Sequence, residues 1–303
     1  MENQTAEAIE RQLSAVLRDA ARRLTSHGIE SGSLDAEILL GHVLGISREQ
    51  LLVTAHRPLD DAQLRAYERL LSRRLEREPT AYITGTREFW SVDIHVTPDV
   101  LIPRPETELL VEISLAMAAE SRASGPMKIL DLGTGSGAIA IALATELAGA
   151  RILATDISAA ALAIAAGNAL RNEVAGRISF VQSDLFEALE RTKPFDLIVA
   201  NPPYLRSSEI DALEPEVSRW EPRGALDGGM DGLDYYRRMA AQGFSYVAPN
   251  GAIAVEIAGG MGEAVAELFQ ERAGCAKADV YNDYAGNQRV VVARKVAAIM
   301  SSI

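Results

Sequence analysis

Cysteine is almost missing from this chain: Cys275 is the single one in 303 residues. It has no partner for an internal disulfide and cannot build a cysteine-based zinc cage, so neither an oxidising compartment nor a structural metal is called for. A lone thiol of this kind is expected to be a small buried apolar residue. Lysine is scarce as well, with four residues, and the formal net charge of −12 leaves no broad basic surface to neutralise a phosphate backbone. No nucleic-acid partner is expected. Long apolar runs are also absent: nothing approaches the roughly 18 residues of a membrane span, and the run at 139–144 is too short for one. The start, MENQTAEAIERQL, has neither the apolar stretch of a secretory signal nor the basic amphipathic character of a transit peptide. A cytoplasmic location with no membrane partner is therefore expected. His27, His42, His56 and His95 are scattered without ligand spacing, and no metal site is expected.

What remains is the composition of a globular protein able to bury a full core, 48% hydrophobic and 24% charged, and the length suits one large domain plus a smaller one. Residues 1–78 read as a small helical bundle. Ala6, Ile9, Leu13, Val16, Ala20 and Leu24 recur at steps of three and four, marking one buried helix face that stops at Gly28. Ser33 precedes a second apolar-periodic run that ends at Gly45. Ser47 with Gln50, and Asp60 with Gln63, open a third and a fourth helix, the fourth running to Glu78 before Pro79 stops it. Arg65, Arg69, Arg73 and Arg77 fall every four residues on that last helix, with Arg74 beside them. They predict a cationic stripe, either a solvated face balanced by Glu68 and Glu76 or a docking face for an acidic protein surface.

Residues 79–105 change to short β-like runs at 82–84 and 89–96, split by Gly85, and read as a hairpin-like linker. Phe89 and Trp90 are expected to pack this linker against the sheet domain. From 106 to 303, strand-like and helix-like stretches alternate: KILDL, helix 137–147, RILATD, helix 158–171, ISFVQSD, FDLIVA, helix 233–247, GAIAVEI, helix 260–273, and strand candidates around Val280 and Val291. This alternation predicts an α/β catalytic domain with a doubly wound, mostly parallel sheet.

Chemistry first surfaces in DLGTGSG, between an apolar strand and an alanine-rich helix. Gly133, Gly135 and Gly137 let the backbone pass close to a ligand, and the amides at the new helix N-terminus favour a polar or negative group. Stepping by two, with Asp131 two residues ahead, these glycines depart from the G-x-G-x-x-G dinucleotide pattern and lean towards S-adenosylmethionine. RILATD ends in Asp156, nineteen residues after Gly137, where a carboxylate accepts hydrogen bonds from ribose hydroxyls or else caps the helix after Ser158. ISFVQSD ends in Asp184, placed to reach an adenine. Asp131, Asp156 and Asp184 are expected to line one crevice at the carboxyl ends of successive strands.

The most specific signal is NPPY, Asn201, Pro202, Pro203 and Tyr204, directly after the strand FDLIVA. A planar amide or exocyclic amine is a poor nucleophile because its lone pair is delocalised. The Asn201 side-chain carbonyl and the Pro202 backbone carbonyl are suited to accept one N–H each from such a group and to aim its nitrogen at an electrophilic methyl. Pro202 and Pro203 stiffen the turn, and Tyr204 offers a flat face for stacking. No general base is required, since the proton leaves after the methyl has moved.

With these residues in place, the chain resembles the protein-(glutamine-N5) methyltransferases that modify peptide chain release factors. The likeness runs through LDAEILLGHVLG, AYITGTREFW, VLIPRPETELL, DLGTGSGAIA, NPPY, EPRGALDGGMDGLDYYRRM and DYAGNQRVV in order. It implies a class I S-adenosylmethionine-dependent methyltransferase fold with a seven-stranded sheet. It also implies S-adenosylmethionine as donor and, as acceptor, the glutamine of the Gly-Gly-Gln motif in class 1 release factors. By the same resemblance, cofactor contacts fall on Asp131, Gly133, Thr134, Gly135, Ser136, Gly137, Asp156, Asp184, Leu185 and Asn201, and substrate contacts on Asn201, Pro202, Pro203 and Tyr204, with Asn201, Pro202 and Tyr204 at the reacting amide. Leu185 stands where the family often carries an aromatic residue. Arg104, Glu106 and Thr107 either line the acceptor pocket or pack their loop where a helix starts at Pro105, and Trp220 is a candidate for a residue that closes over the site. Two other readings share the chemistry: an N6-adenine nucleic-acid methyltransferase, which uses NPPY on the same planar-nitrogen problem, and a glutamine methyltransferase acting on a ribosomal protein. The net charge speaks against the first and IPRPETE against the second. A nicotinamide-dependent oxidoreductase lacks its glycine pattern here and has no use for NPPY.

Overall fold

A computed structural model describes residues 11–120, 125–272 and 274–296. Ala6 and Ile9, assigned above to the first helix face, lie outside the described residues. The chain divides into two compact units, one formed by residues up to Gly85 together with Glu214–Trp220, the other by Thr86–Leu213 and Glu221 onward.

The first unit is helical. Helices α1 (Leu13–Ser26), α2 (Gly32–Leu44), α3 (Arg48–Val53), α4 (Asp61–Leu75) and α5 (Thr80–Thr84) bury Leu13, Leu24, Leu39, Leu40, Tyr67 and Leu71 in a common core. Both capping boxes form, Ser47 with Gln50 and Asp60 with Gln63. Three expectations are corrected. The residue ahead of α2 is Ser31 instead of Ser33, and its hydroxyl bonds Asp35. Helix α4 ends at Leu75, because Arg77 turns left-handed at φ 69°. Residues 82–84, read as strand, belong to the single helical turn α5, which Pro79 starts and left-handed Gly85 ends.

A buried ion network binds this unit together. Arg74 gives Nε to Asp35 at 2.8 Å and Nη1 to Glu216 at 2.7 Å, and Arg77 reaches the other oxygen of Glu216 at 2.6 Å. Glu216 comes from the short helix α6 (Pro215–Ser218), far away in sequence. Asp35 also accepts from Ser31 and Thr80 hydroxyls. The arginine stripe is thereby divided: Arg73 pairs with Glu78 and Arg77 with Glu216, while Arg65 and Arg69 stay exposed and form no ion pair among the described residues. Glu68, expected to balance the stripe, pairs with Arg23 of α1 instead.

The second unit is an α/β layer structure. Its hairpin β1 (Thr86–Phe89) and β2 (Val92–His95) breaks the expected 89–96 run, because Trp90 and Ser91 form a two-residue turn at φ 51° and 58°. Phe89 is buried and Trp90 bonds Glu146 and Glu108. Then come α7 (Glu108–Glu120), β3 (Lys128–Leu132), α8 (Ala138–Glu146), β4 (Arg151–Asp156), α9 (Ala159–Arg171), β5 (Ile178–Gln182) and β6 (Phe195–Ala200). After the loop, α10 (Asp234–Gln242), β7 (Val247–Glu256), α11 (Gly262–Gln270), β8 (Cys275–Asn282) and β9 (Gln288–Lys295) complete it. Among the described residues the large sheet has seven strands in the order β5-β4-β3-β6-β7-β9-β8, parallel except at β9. Strand order reverses between β3 and β6, so a crevice opens outside their carboxyl ends. Cys275, expected in the core, is only partly buried at the start of β8.

Asp131 is fully buried within β3, with the Thr134 hydroxyl donating to Oδ2 at 2.6 Å and Oδ1 without a partner among the described residues. Burial pushes its pKa up to about 7, the Thr134 hydrogen bond opposing and the nearby Asp156 adding to the rise.

Two outcomes are expected from these buried charges. Arg74→Met, which leaves the buried Asp35 without its cation and Glu216 with Arg77 alone, should lower the unfolding free energy by about 3 to 5 kcal/mol in chemical denaturation. Because the Asp131 pKa is raised above its unfolded value near 3.9, the stability this group contributes is full below that value and is lost as pH rises through about 7. Asp131→Asn should therefore gain stability relative to the parent between pH 5 and pH 8 in paired thermal melts.

Candidate active site

A cavity of about 370 Å³ opens where β3, β4, β5 and β6 deliver their carboxyl ends. That volume falls in the range of small-molecule sites. Its floor is the glycine loop. Gly135 and Gly137 adopt φ 55° and 84°, and a side chain at Gly137 would stand 3.0 Å from Ala165 on α9. Space above Gly133 and Gly135 is open, so the backbone there is free for a ligand to approach. The loop is pinned from several sides: Thr134 N–H donates to the Thr155 carbonyl at 2.8 Å, and Asn168 binds both the Ser136 carbonyl and the backbone of His95 at 2.9 Å.

Asp156 does two local jobs. Its carboxylate accepts Gly135 N–H and Ser158 N–H, both at 2.9 Å, which joins the glycine loop to the start of α9. The helix cap itself is Ser158, whose hydroxyl accepts from Ala161 N–H. Each Asp156 oxygen keeps a free lone-pair direction, so helix support and ribose binding are compatible. Asp184 lines the cavity and is held by Arg238 of α10 at 2.8 Å. Leu185 follows it in the left-handed region, φ 50°, and lines the same wall with Ile139, Ile157 and Ala161.

The expected line of three aspartates is corrected at one end. Asp131 is sealed beneath the glycine loop and does not line the cavity, whereas Asp156 and Asp184 do. Strand geometry explains this: Asp131 lies within β3, in register with Ala154 and Val199 of its neighbours, and the other two stand at or beyond strand ends.

Across the cavity, Asn201 and Pro203 face in, while Pro202 is buried and Tyr204 packs against the core cluster of the sheet. Burial pushes the Tyr204 hydroxyl up to about 12, with the Glu256 charge adding to it. Asn201 donates Nδ2–H to the Thr107 hydroxyl at 3.0 Å. Behind Thr107 lies Glu256, the last residue of β7, nearly inaccessible. Burial raises its pKa to about 7, against the pull of a hydrogen bond from Thr107 and the charges of Arg289 and Arg104. The turn is backed by the loop 226–232: Leu205 N–H donates to the Leu226 carbonyl at 3.0 Å, Gly228 N–H donates to the Leu205 carbonyl at 2.8 Å, and a Cβ at Gly232 would collide with the Tyr204 carbonyl.

Several lining residues escaped sequence reasoning. Residues 99–101 and Pro103 form one wall, Pro222, Gly224, Ala225 and Tyr235 another. Arg104 ties these walls together through Glu221, at 2.8 and 2.7 Å to its two oxygens. The shared signal was the pair of proline-punctuated segments IPRPETE and EPRGALDGG, whose partnership across the fold no local pattern announces. Trp220, expected to close over the site, belongs to the helical unit. Among the described residues no cluster of metal-ligating side chains occurs.

The residues present fit S-adenosylmethionine: an open glycine backbone, carboxylates at the ends of β4 and β5, and apolar walls for a flat ring.

Comparison with known proteins agrees with this geometry. A family model described as PrmC N-terminal domain matches residues 15–85, and one described as methyltransferase small domain matches residues 107–214. A release factor glutamine methyltransferase of Geobacter sulfurreducens is 42% identical over 89% of this chain and 92% of its own. One from Cereibacter sphaeroides is 44% identical over 93% of this chain and 98% of its own. Among solved structures, the hMettl16 catalytic domain, crystallised with an RNA hairpin, superimposes with a TM-score of 0.54 at 15% identity, covering 71% of this chain and 79% of its own, a likeness of fold alone. By sequence, then, this chain is a methyltransferase and belongs to the release factor glutamine methyltransferase family.

Proposed function

We propose that this protein transfers a methyl group from S-adenosylmethionine to the side-chain amide nitrogen, N5, of the glutamine in the Gly-Gly-Gln motif of class 1 release factors. The observation that carries this reading is the Asn201 amide, which faces the cavity across from the glycine loop with its N–H end already occupied by Thr107. Its carbonyl end is left to accept an N–H from an incoming amide. A substrate NH₂ that donates one proton to Asn201 Oδ1 and the other to the Pro202 carbonyl is held in a fixed plane, its nitrogen lone pair directed at the cavity.

The cofactor, when bound, supplies an electrophilic methyl. Gly133, Thr134, Gly135, Ser136 and Gly137 cradle it by backbone, Asp156 accepts its ribose hydroxyls, and Asp184 with Leu185 borders its adenine. Asp131 acts from below by holding Thr134. As the N–C bond forms, the methyl–sulfur bond of the donor would break to leave S-adenosylhomocysteine; the amide nitrogen gains positive charge, and acceptance by Asn201 and Pro202 grows stronger at that moment. The excess proton then leaves to water. Tyr204 and Pro203 shape the turn that presents these carbonyls. A cytoplasmic protein substrate suits the acidic chain better than a nucleic acid, whose phosphates would meet a net charge of −12. Arg65 and Arg69, the two exposed members of the stripe that form no ion pair among the described residues, remain for an acidic surface on that substrate.

Mass spectrometry of release factor incubated with enzyme and S-adenosylmethionine should show one added methyl on the Gly-Gly-Gln peptide; its absence there, or its presence on an RNA or ribosomal protein instead, overturns the assignment. Asn201→Ala should lose about 100- to 1,000-fold in single-turnover rate with cofactor affinity by calorimetry nearly unchanged. Asp156→Ala should weaken cofactor binding about 5- to 150-fold from two lost ribose hydrogen bonds of about 0.5 to 1.5 kcal/mol each, with the lost hold on Gly135 and Ser158 adding to it. An unaltered dissociation constant removes Asp156 from the ribose site.

A further inference from the structure

A purine ring gains most from a flat partner laid against one of its faces. The wall that holds Asp156 and Asp184 brings Ile139, Ile157, Ala161 and Leu185 to the cavity, all of them aliphatic. Leu185, directly after Asp184, is 9% exposed and is largely spent in the core cluster of the sheet. Among the described residues, the one aromatic side chain that lines the cavity is Tyr235, the second residue of α10.

Arg238, three residues further along that helix, tells where the ring sits. Its guanidinium forms an ion pair with Asp184 Oδ1 at 2.8 Å, and its central carbon lies over the Tyr235 ring, 5.9 Å from the centroid. One cation thus holds both a carboxylate and an aromatic face, attracted by the charge of the first and the quadrupole of the second. Tyr235 therefore stands at the Asp184 end of the cavity. Burial raises the pKa of its hydroxyl, with the Asp184 charge adding to the rise and Arg238 opposing it. The ring packs in part against the core cluster, is only half-buried, and borders the cavity with the rest of its surface. The paired Asp184 carboxylate still has lone pairs for a ligand N–H, since its two oxygens offer about four.

We propose that Tyr235 is a cofactor-binding residue whose ring lies against the adenine, and that Arg238 is the positioning residue that holds this ring and the Asp184 carboxylate together at that end of the cavity. This rests on the S-adenosylmethionine reading of the site. It adds two residues of α10 to a cofactor site otherwise built from the glycine loop and the ends of β4 and β5. Arg238 acts through its two neighbours. A flat face and an acceptor kept side by side suit a base that presents both a π-face and an exocyclic N–H.

Calorimetry with S-adenosylhomocysteine reads both roles without turnover. Tyr235→Leu, which keeps an apolar side chain and removes the flat face, should weaken binding at least fivefold, and Tyr235→Phe, which keeps the ring, should stay within twofold of the parent. Arg238→Met should weaken binding at least threefold, while Arg238→Lys, which keeps a cation, should stay within twofold. Support of the helix alone predicts no such order, since methionine packs at that position as well as lysine. The contact itself is read by NMR of the full-length protein carrying ¹³C-labelled tyrosine rings and saturated with S-adenosylhomocysteine. Tyr235, assigned by its loss in Tyr235→Phe, should give nuclear Overhauser effects to adenine H2 or H8. Their absence in the bound parent overturns the proposal whatever the affinities, and this result needs no destabilised variant. Undiminished binding by Tyr235→Leu overturns the role of the ring, and undiminished binding by Arg238→Met overturns the positioning role. A parent that binds no S-adenosylhomocysteine defeats the cofactor reading and the proposal together, whereas a parent that binds it without the Tyr235 contact defeats the proposal alone.

Discussion

The Asp156 carboxylate is the pivot of the catalytic unit. One of its oxygens takes the amide of Gly135 and the other the amide of Ser158, so a single side chain at the end of β4 fixes both the glycine loop and the start of α9. Without that clasp, the loop between β3 and α8 would rest on the Thr134 N–H and hydroxyl and on the Asn168 amide for its path over Asp131. The open face above Gly133 and Gly135 exists because the loop is held from below and from the side, leaving its upper surface unfilled. A carboxylate suits this role because it accepts several hydrogen bonds at once and still has directions to spare for a ligand.

The opposite wall is organised by the same economy of buried polar groups. Asn201 at the cavity wall donates to the buried Thr107 hydroxyl, and the Glu256 carboxylate is buried behind them. Arg104 and Glu221 span two further wall segments, with the glutamate side chain almost wholly buried and the arginine reaching the cavity. Burying such groups is costly, and it is tolerated where each is paired. One oxygen of Asp131 and one of Glu256 lack a partner among the described residues, and both lie directly behind the site. Unsatisfied polar atoms at functional sites are a familiar compromise, in which local stability is given up for a fixed arrangement of dipoles.

In the helical unit the network of Asp35, Arg74, Arg77 and Glu216 plays a comparable part. It draws residues 214–220, which follow the NPPY turn by ten residues, into the same compact unit as the first five helices. The arginine stripe thus divides by pairing. Two of its members are consumed in ion pairs that hold the unit together, and two are left to solvent.

Local patterns in the sequence determined a great deal here. Capping boxes at Ser47 and Asp60, the alternation of KILDL, RILATD and FDLIVA with alanine-rich helices, and the G-x-G-x-G step all rest on interactions between residues close in the chain, and these form as read. Asp156, Asp184 and Asn201 reach the cavity because strand ends in a parallel sheet point their following residues into one crevice, a rule that needs no coordinates. Tertiary structure decided the rest. Whether Asp131 faced the cavity depended on how far along β3 it sat relative to its neighbours' ends. Whether residues 82–84 formed a strand or a helical turn depended on Pro79 and Gly85 acting together with the packing of Tyr82 and Ile83, which no period-two pattern of three residues specifies. The partners of Asn201, Arg104 and Arg74, at 94, 117 and 142 residues' distance, are chosen by the fold, because a buried polar group takes whichever complement the packing brings within reach.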